Sequence, residues 1–167
     1  MPQIILASSS IYRKELLERL LLGFKVVKPD MEEIRIESET AYDTASRLSE
    51  EKAKKVSSQF KEAIVIGCDQ TAQFNNIQIQ KPLDYKTALM QLKELSGKRV
   101  YFHSGICVYY DKGNIFQKKV ISFDVKYKNL SLIEIESYLK KEKPFNCIGS
   151  IKSEGLGISL LDEINSN

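Results

Sequence analysis

Three consecutive hydroxyl residues, Ser8-Ser9-Ser10, follow the apolar run Ile4-Ile5-Leu6-Ala7, and Arg13 comes one helical turn further on. If the run is a strand and a helix starts at the serines, the N–H groups of that helix start favour an anion. Serine hydroxyls and a first-turn guanidinium then add charge-assisted hydrogen bonds to it. Ser8, Ser10 and Arg13 would together grip a phosphate. Further along, Asp69 closes the apolar run Ala63-Ile64-Val65-Ile66-Gly67-Cys68, Lys81 precedes Pro82, and Lys152 and Glu154 share a glycine-punctuated stretch, 149–157.

This set suits polyphosphate chemistry. Breaking a phosphoanhydride needs cations on the phosphates, a divalent metal ion, and a base that orients a water for in-line attack. Arg13, Lys52, Lys81 and Lys152 can supply the cations. Glu33 and Asp69 offer the oxygen ligands that Mg²⁺ and Mn²⁺ prefer, and Asp69 is also the candidate base. The residue types leave open whether Asp69 meets metal, water or both. Each residue has an ordinary reading too: Ser10 caps a helix, Arg13 is a surface cation, Asp69 closes a turn.

The elements that must position these side chains follow from periodicity. Tyr12, Leu16 and Leu20 repeat at helical spacing with Gly23 as a stop, and Phe24 to Lys28 reads as a strand. An acidic loop, 29–33, leads to Thr40-Ala41-Tyr42-Asp43, which resembles a capping box opening a helix to about Phe60, with Lys52 in its middle. The run 63–68 is typical of a strand buried on both faces, with Asp69-Gln70 at its carboxyl end, where α/β sheets place ligands. Asn75-Asn76 suggests a hairpin, and Ala88, Leu89, Leu92 and Leu95 a helix ended by Ser96-Gly97. Two long strands, 100–110 and 115–127, precede a helix that opens on the capping box Ser131 to Glu134 and stops before Pro144; a last strand is expected at 158–161. The fold class is α/β: a mixed twisted sheet with flanking helices, forming two lobes around a central cleft.

A chain of 167 residues makes one domain large enough to fold without disulfide or metal staples. Its apolar runs fall short of a membrane span, and a start without a basic leader points to the cytoplasm. Cys68, Cys107 and Cys147 are widely spaced and form no CxxC pair, so reduced thiols are expected. The single histidine, His103, argues against a Ser-His-Asp triad and against a multi-histidine metal centre. With a net charge of only +3, the clusters Lys52/Lys54/Lys55 and Lys140/Lys141/Lys143 alternate with glutamates and read as solvated helix faces, so no stable nucleic-acid partner is expected.

Taken together, Leu6-Ala7-Ser8-Ser9-Ser10-x-x-Arg13-x-x-Leu16-Leu17, Glu33, Glu51-Lys52-Ala53, Gly67-Cys68-Asp69-Gln70, Lys81-Pro82, Leu95-Ser96-Gly97 and Gly149-Ser150-x-Lys152-Ser153-Glu154-Gly155-x-Gly157 resemble the Maf-like nucleoside triphosphate pyrophosphatases over nearly the whole chain. The resemblance implies cleavage of a nucleoside triphosphate to monophosphate and pyrophosphate with a divalent cation (Mg²⁺, Mn²⁺ or Co²⁺), Asp69 as catalytic proton acceptor, and a homodimer as a family expectation. Tyr12, Gln70 and Glu154 match positions that set substrate choice. The Asp-Gln pair and the Lys-Ser-Glu-Gly loop resemble the 7-methyl-GTP branch, which clears modified nucleotides; the dTTP/UTP branch typically has Asp-Thr and a late-loop glutamine. The chemistry agrees: a carboxylate accepts from the N1–H and N2–H₂ edge of guanine, and an aromatic ring can stack on a purine made cationic by N7 methylation. Two substitutions depart from the branch, Tyr12 where tryptophan is usual and Gln80 where glycine is usual. The single Maf-like domain, 1–167, also ends short of the family's usual C-terminal segment. Alternatives are a dTTP/UTP or broad-specificity pyrophosphatase, and a non-catalytic nucleotide-binding regulator of cell division.

Overall fold

The serine run ends a strand and caps a helix, as its spacing requires: Ser10 is the N-cap of the first helix, and its side chain accepts from Arg13 N. The computed structural model describes residues 2–34 and 36–166. In chain order the elements are β1 (Ile4–Ala7), α1 (Ile11–Glu18), β2 (Phe24–Val27), α2 (Ala41–Ser57), β3 (Ile64–Phe74), β4 (Ile77–Ile79), α3 (Tyr85–Leu95), β5 (Arg99–Tyr110), β6 (Ile115–Tyr127), α4 (Leu132–Glu142) and β7 (Leu161–Ser166). Two short 3₁₀ turns, Ile148–Ser150 and Leu156–Leu160, lie between α4 and β7. The strands form a mixed α/β sheet in the order β2-β1-β3-β5-β6-β7, with β4 paired to β3. The chain divides into two units, residues 1–70 with 104–121 and residues 71–103 with 122–167.

In the first unit β1 lies between β2 and β3, parallel to both, with Ile4 opposite Phe24 and Ile64, and Ala7 opposite Val27 and Gly67. Continuous apolar runs suit strands covered on both faces. Ile5, Ala7, Val65 and Cys107 accordingly pack with Ala53 and Val56 of α2 in one buried cluster. The small residues Ala45, Ser49 and Ala53 are all fully buried along α2. Gly67 and Gly105 permit their approach: a Cβ at Gly67 would fall against Ser49 O and within 2.7 Å of Ala53 N, and one at Gly105 against Ala45 O.

The first helix is shorter than its leucine repeat suggests. It ends at Glu18, and Arg19, Leu20 and Leu21 donate to carbonyls three residues back before Leu21 turns left-handed at φ 56°. Such tight i→i−3 bonds close a helix before any glycine is reached. No α1 residue is buried, and Leu16 and Leu20 are 44% and 63% exposed, so the repeat is not a core face here.

The second unit is built around the fully buried Tyr127, Leu92 and Leu139, joined by Phe102, Ile135 and Leu160. Phe102 and Phe123 stack with centroids 5.2 Å apart. Asn75 and Asn76 both have positive φ, as the two-residue turn of a β-hairpin demands. Ser131 and Glu134 form the complete reciprocal capping box at the start of α4. The Tyr127 hydroxyl donates to Gly149 O at 3.1 Å.

Two expectations are corrected. The strand carrying Asp69 does not end there but continues to Phe74; the apolar run stops at Cys68, yet main-chain pairing continues through β4. The last strand begins at Leu161 rather than at 158, because Gly155 N and Gly157 N both donate to Lys152 O and wind the preceding segment into a turn.

Gly67→Ala should destabilise the fold by about 1–3 kcal/mol, since a buried methyl there overpacks against helix backbone. Urea unfolding with an unchanged m-value would measure it.

Candidate active site

The pairing of β1 with β3 stops at Ala7 and Gly67, two residues before Asp69. Asp69 therefore lies beyond the part of β3 that pairs with β1, although within its strand. From α2, the Lys52 ammonium donates to Asp69 Oδ1 at 2.5 Å and pairs with Glu33 Oε1 at 2.7 Å. Lys52 and Asp69 side chains are 5% and 7% exposed, whereas Glu33, on the loop between β2 and α2, is 56% exposed. The expected solvated lysine face is thus corrected at one position: Lys54 and Lys55 are exposed, but Lys52 is buried because α2 turns it toward two carboxylates.

Burial pushes the Asp69 carboxyl above its usual range, while the Lys52 charge and hydrogen bond, and then Arg13, pull it back. A carboxylate whose pKa moves toward neutrality is a better proton acceptor at working pH. Arg13 also acts locally, its Nη1 donating to Cys68 O at 2.8 Å, next to Asp69. Ser10 fulfils the ordinary capping reading, while Ser8 Oγ accepts from Ser10 N at 3.1 Å in the turn before the helix. A hydroxyl that accepts retains a proton to donate, so capping leaves phosphate binding open. Tyr12 is half-buried in the first turn of α1, and Gln70 Nε2 donates to Ser104 Oγ at 3.0 Å.

The second unit holds the remaining sequence candidates. Lys81 is exposed in the loop before α3. Lys152 Nζ pairs with Glu142 Oε1 at 2.9 Å, and its backbone N donates to the Tyr138 hydroxyl at 3.0 Å. Glu142 Oε2 also accepts from Leu156 N at 2.6 Å, so one carboxylate clamps two points of the late loop. Glu154 is exposed in that loop and accepts from Ser153 Oγ at 3.3 Å. Gln91 of α3 bridges the two lysine-bearing loops: its Nε2 donates to Gln80 O at 2.8 Å, and its Oε1 accepts from Ser150 Oγ at 2.7 Å.

Glu142, Gln91 and Tyr138 escape sequence reasoning because they touch their partners across loops, at no helical or strand spacing. Arg47 escapes in part: its i,i+4 relation to Glu51 is visible, but its stronger partner, Glu39, is eight residues back.

A divalent cation fits the first unit's donor set. Glu33 and Asp69 already direct carboxylate oxygens at one cationic point, and oxygen is the ligand of Mg²⁺ and Mn²⁺. No group of three or more His, Cys, Asp or Glu able to hold a metal occurs among the described residues. Such a site suits an ion held by one or two carboxylates and completed by substrate phosphates.

The family model for Maf-like proteins matches residues 3–167. The chain belongs to the Maf-like family. A 7-methyl-GTP pyrophosphatase of Methylobacillus flagellatus is 47% identical over 161 residues, covering 96% of this chain and 84% of that protein. One from Burkholderia pseudomallei is 44% identical over 169 residues, covering 99% and 79%. Among solved structures, the Staphylococcus aureus Ham1 protein has a TM-score of 0.45 at 14% identity, covering 76% of this chain and 72% of that one.

In this Maf-like protein the Glu142 clamp has a pH signature. The Leu156 N–H and the Lys152 ammonium hold the Glu142 carboxyl below its ordinary 4.5. The folded chain thus binds fewer protons there than the unfolded one, so the contribution is complete above about 4.5 and fades as pH falls through the lower, folded value. Glu142→Gln should be about 1 kcal/mol less stable than wild type near neutral pH, with the gap closing below pH 4.5. Urea unfolding across pH 3.5–7 checks it.

Proposed function

We propose that this Maf-like protein hydrolyses 7-methyl-GTP to 7-methyl-GMP and pyrophosphate, removing a modified nucleotide. The observation that carries the chemistry is the buried Asp69 carboxylate joined through Lys52 to Glu33. The substrate assignment follows relatives named 7-methyl-GTP pyrophosphatase at 47% and 44% identity.

Asp69 takes a proton from water as the water oxygen attacks phosphorus. The bond to the bridging oxygen of the α–β anhydride breaks, and pyrophosphate leaves. Glu33 and Asp69 would hold a divalent cation (Mg²⁺, Mn²⁺ or Co²⁺), which would supply neutralisation of the phosphate charge. Lys52 then serves a second purpose. Its charge and hydrogen bond favour the charged form of the buried Asp69, and with Arg13 it supplies positive charge near the phosphates. Ser8 and Ser10 donate hydroxyl protons to phosphate oxygens, and Lys81 and Lys152 add cations.

Base selection falls to Tyr12, Gln70 and Glu154. A Glu154 carboxylate accepts from the N1–H and N2–H₂ edge of guanine, which thymine and uracil do not present. Tyr12 stacks on the cationic methylated purine, an interaction of about 0.5–2 kcal/mol. Gln70, held by Ser104, presents its amide carbonyl in a set direction.

A panel of 7-methyl-GTP, GTP, dTTP and UTP with each cation, read by pyrophosphate release, tests the assignment. Release should be fastest from 7-methyl-GTP, and preference for a pyrimidine would overturn the substrate. Asp69→Asn should cut the rate by about 10²–10⁴; an unchanged rate removes Asp69 as the base. Glu154→Gln should cost guanine triphosphates about tenfold or more in kcat/KM while leaving the pyrimidine rates nearly unchanged, because a charged hydrogen bond is replaced by a neutral one.

A further inference from the structure

The Glu33 carboxylate meets Lys52 from the loop between β2 and α2, whose described residues, 28–34 and 36–40, form no helix or strand. Its side chain is more than half exposed, and an exposed carboxylate pairing with one ammonium holds a loop only weakly. The backbone that carries it has a second, stronger anchor. The guanidinium of Arg47, on the second turn of α2, meets that segment. Arg47 Nε donates to Glu39 Oε1 at 2.6 Å and Nη2 to Glu39 Oε2 at 2.7 Å, a two-pronged fork. Nη2 also donates to Ile34 O at 2.9 Å, on the residue that follows Glu33. Nη1 is held by both Glu51 oxygens at 3.2 Å, one turn further along α2.

We infer that Arg47 is a positioning residue, whose fork fixes the backbone beside Glu33 so that the Glu33 carboxylate stays directed at Lys52 and Asp69. The inference rests on the reading of Glu33 and Asp69 as site residues. Arg47 touches none of the proposed reacting groups; it acts through the loop. Thr44 braces the same carboxylate, its hydroxyl donating to Glu39 Oε2 at 3.2 Å. The rigid part is α2, which also carries Lys52, so loop and ammonium are referenced to one helix. Lysine cannot replace this arginine in kind, because an ammonium is a point charge without the planar fork.

The test is a double-mutant cycle on kcat/KM for 7-methyl-GTP, with wild type, Glu33→Gln, Arg47→Lys and the double variant in one assay. Arg47→Lys retains the charge and should fold. It should lower kcat/KM about 10- to 100-fold, the usual consequence of a small misplacement in a site. Added to Glu33→Gln it should cost less than about twofold more, since the residue it positions is already gone. Glu39→Gln should reproduce part of the loss. In hydrogen exchange, the amides of residues 31–34 and 37–39 should exchange faster in Arg47→Lys, with the centre of α2 unchanged. Multiplying losses in the double variant, or unchanged loop exchange, overturns the inference while leaving the function intact. If Glu33→Gln and Asp69→Asn both retain wild-type rates, the site reading itself fails and the inference with it.

Discussion

An ammonium group buried inside α2 is the constraint around which the first unit is arranged. Taking a lysine out of water costs several kcal/mol unless it finds opposite charge and hydrogen-bond acceptors. Lys52 finds two carboxylates from different parts of the chain, Asp69 on β3 and Glu33 on a loop. That pairing requires α2 to lie at a set height and distance from β3. The distance is set by the small residues Ala45, Ser49 and Ala53 facing Gly67 and Gly105, where any side chain on the strand would collide with helix backbone. Packing at one face of the helix thus decides where a charge on the same helix can reach.

The same helix solves a second problem. A loop carrying a carboxylate into a charged cluster loses conformational entropy when it is ordered, and few apolar contacts repay it. Charge-assisted, bidentate bonds are the strong alternative, and Arg47 makes them to Glu39 while Glu51 holds it from below. Glu39 is in turn held below its usual pKa by the Arg47 hydrogen bond, so this clamp remains charged across the neutral range. Polar contacts here take over what buried leucines do elsewhere in a domain.

The α/β class, the order of elements and the capping of α1, α2 and α4 are legible in the sequence because they depend on local chemistry. Ser10, Thr40 and Ser131 each cap the helix that follows. Elements set by tertiary context are less legible. Leu16 and Leu20 share helical spacing, yet nothing local distinguishes a core face from an exposed one. Lys52 stands among lysines and glutamates, and only the position of Asp69 in space separates it from Lys54 and Lys55. The late-loop clamp by Glu142 is illegible for the same reason: its partners lie ten and fourteen residues away across a turn. Asp69 stands out in the sequence as a carboxylate directly after a long apolar run, whereas the residues that hold the loops carry no such local mark.

Asp69 balances opposite demands. Burial disfavours its charged form, while the Lys52 charge and hydrogen bond favour it. The net displacement is upward, with desolvation outweighing Lys52 and Arg13. A partner with flexible geometry suits that compromise better than a rigid one, because under the proposed mechanism a lysine on a long stem would yield its carboxylates to a cation and phosphate without moving the helix. The buried pair is therefore better understood as a stand-in arrangement than as a source of stability, since ion pairs of this kind stabilise folds little. In the proposed mechanism, the Lys52 charge would hold Asp69 and Glu33 close enough to pass together to an arriving cation.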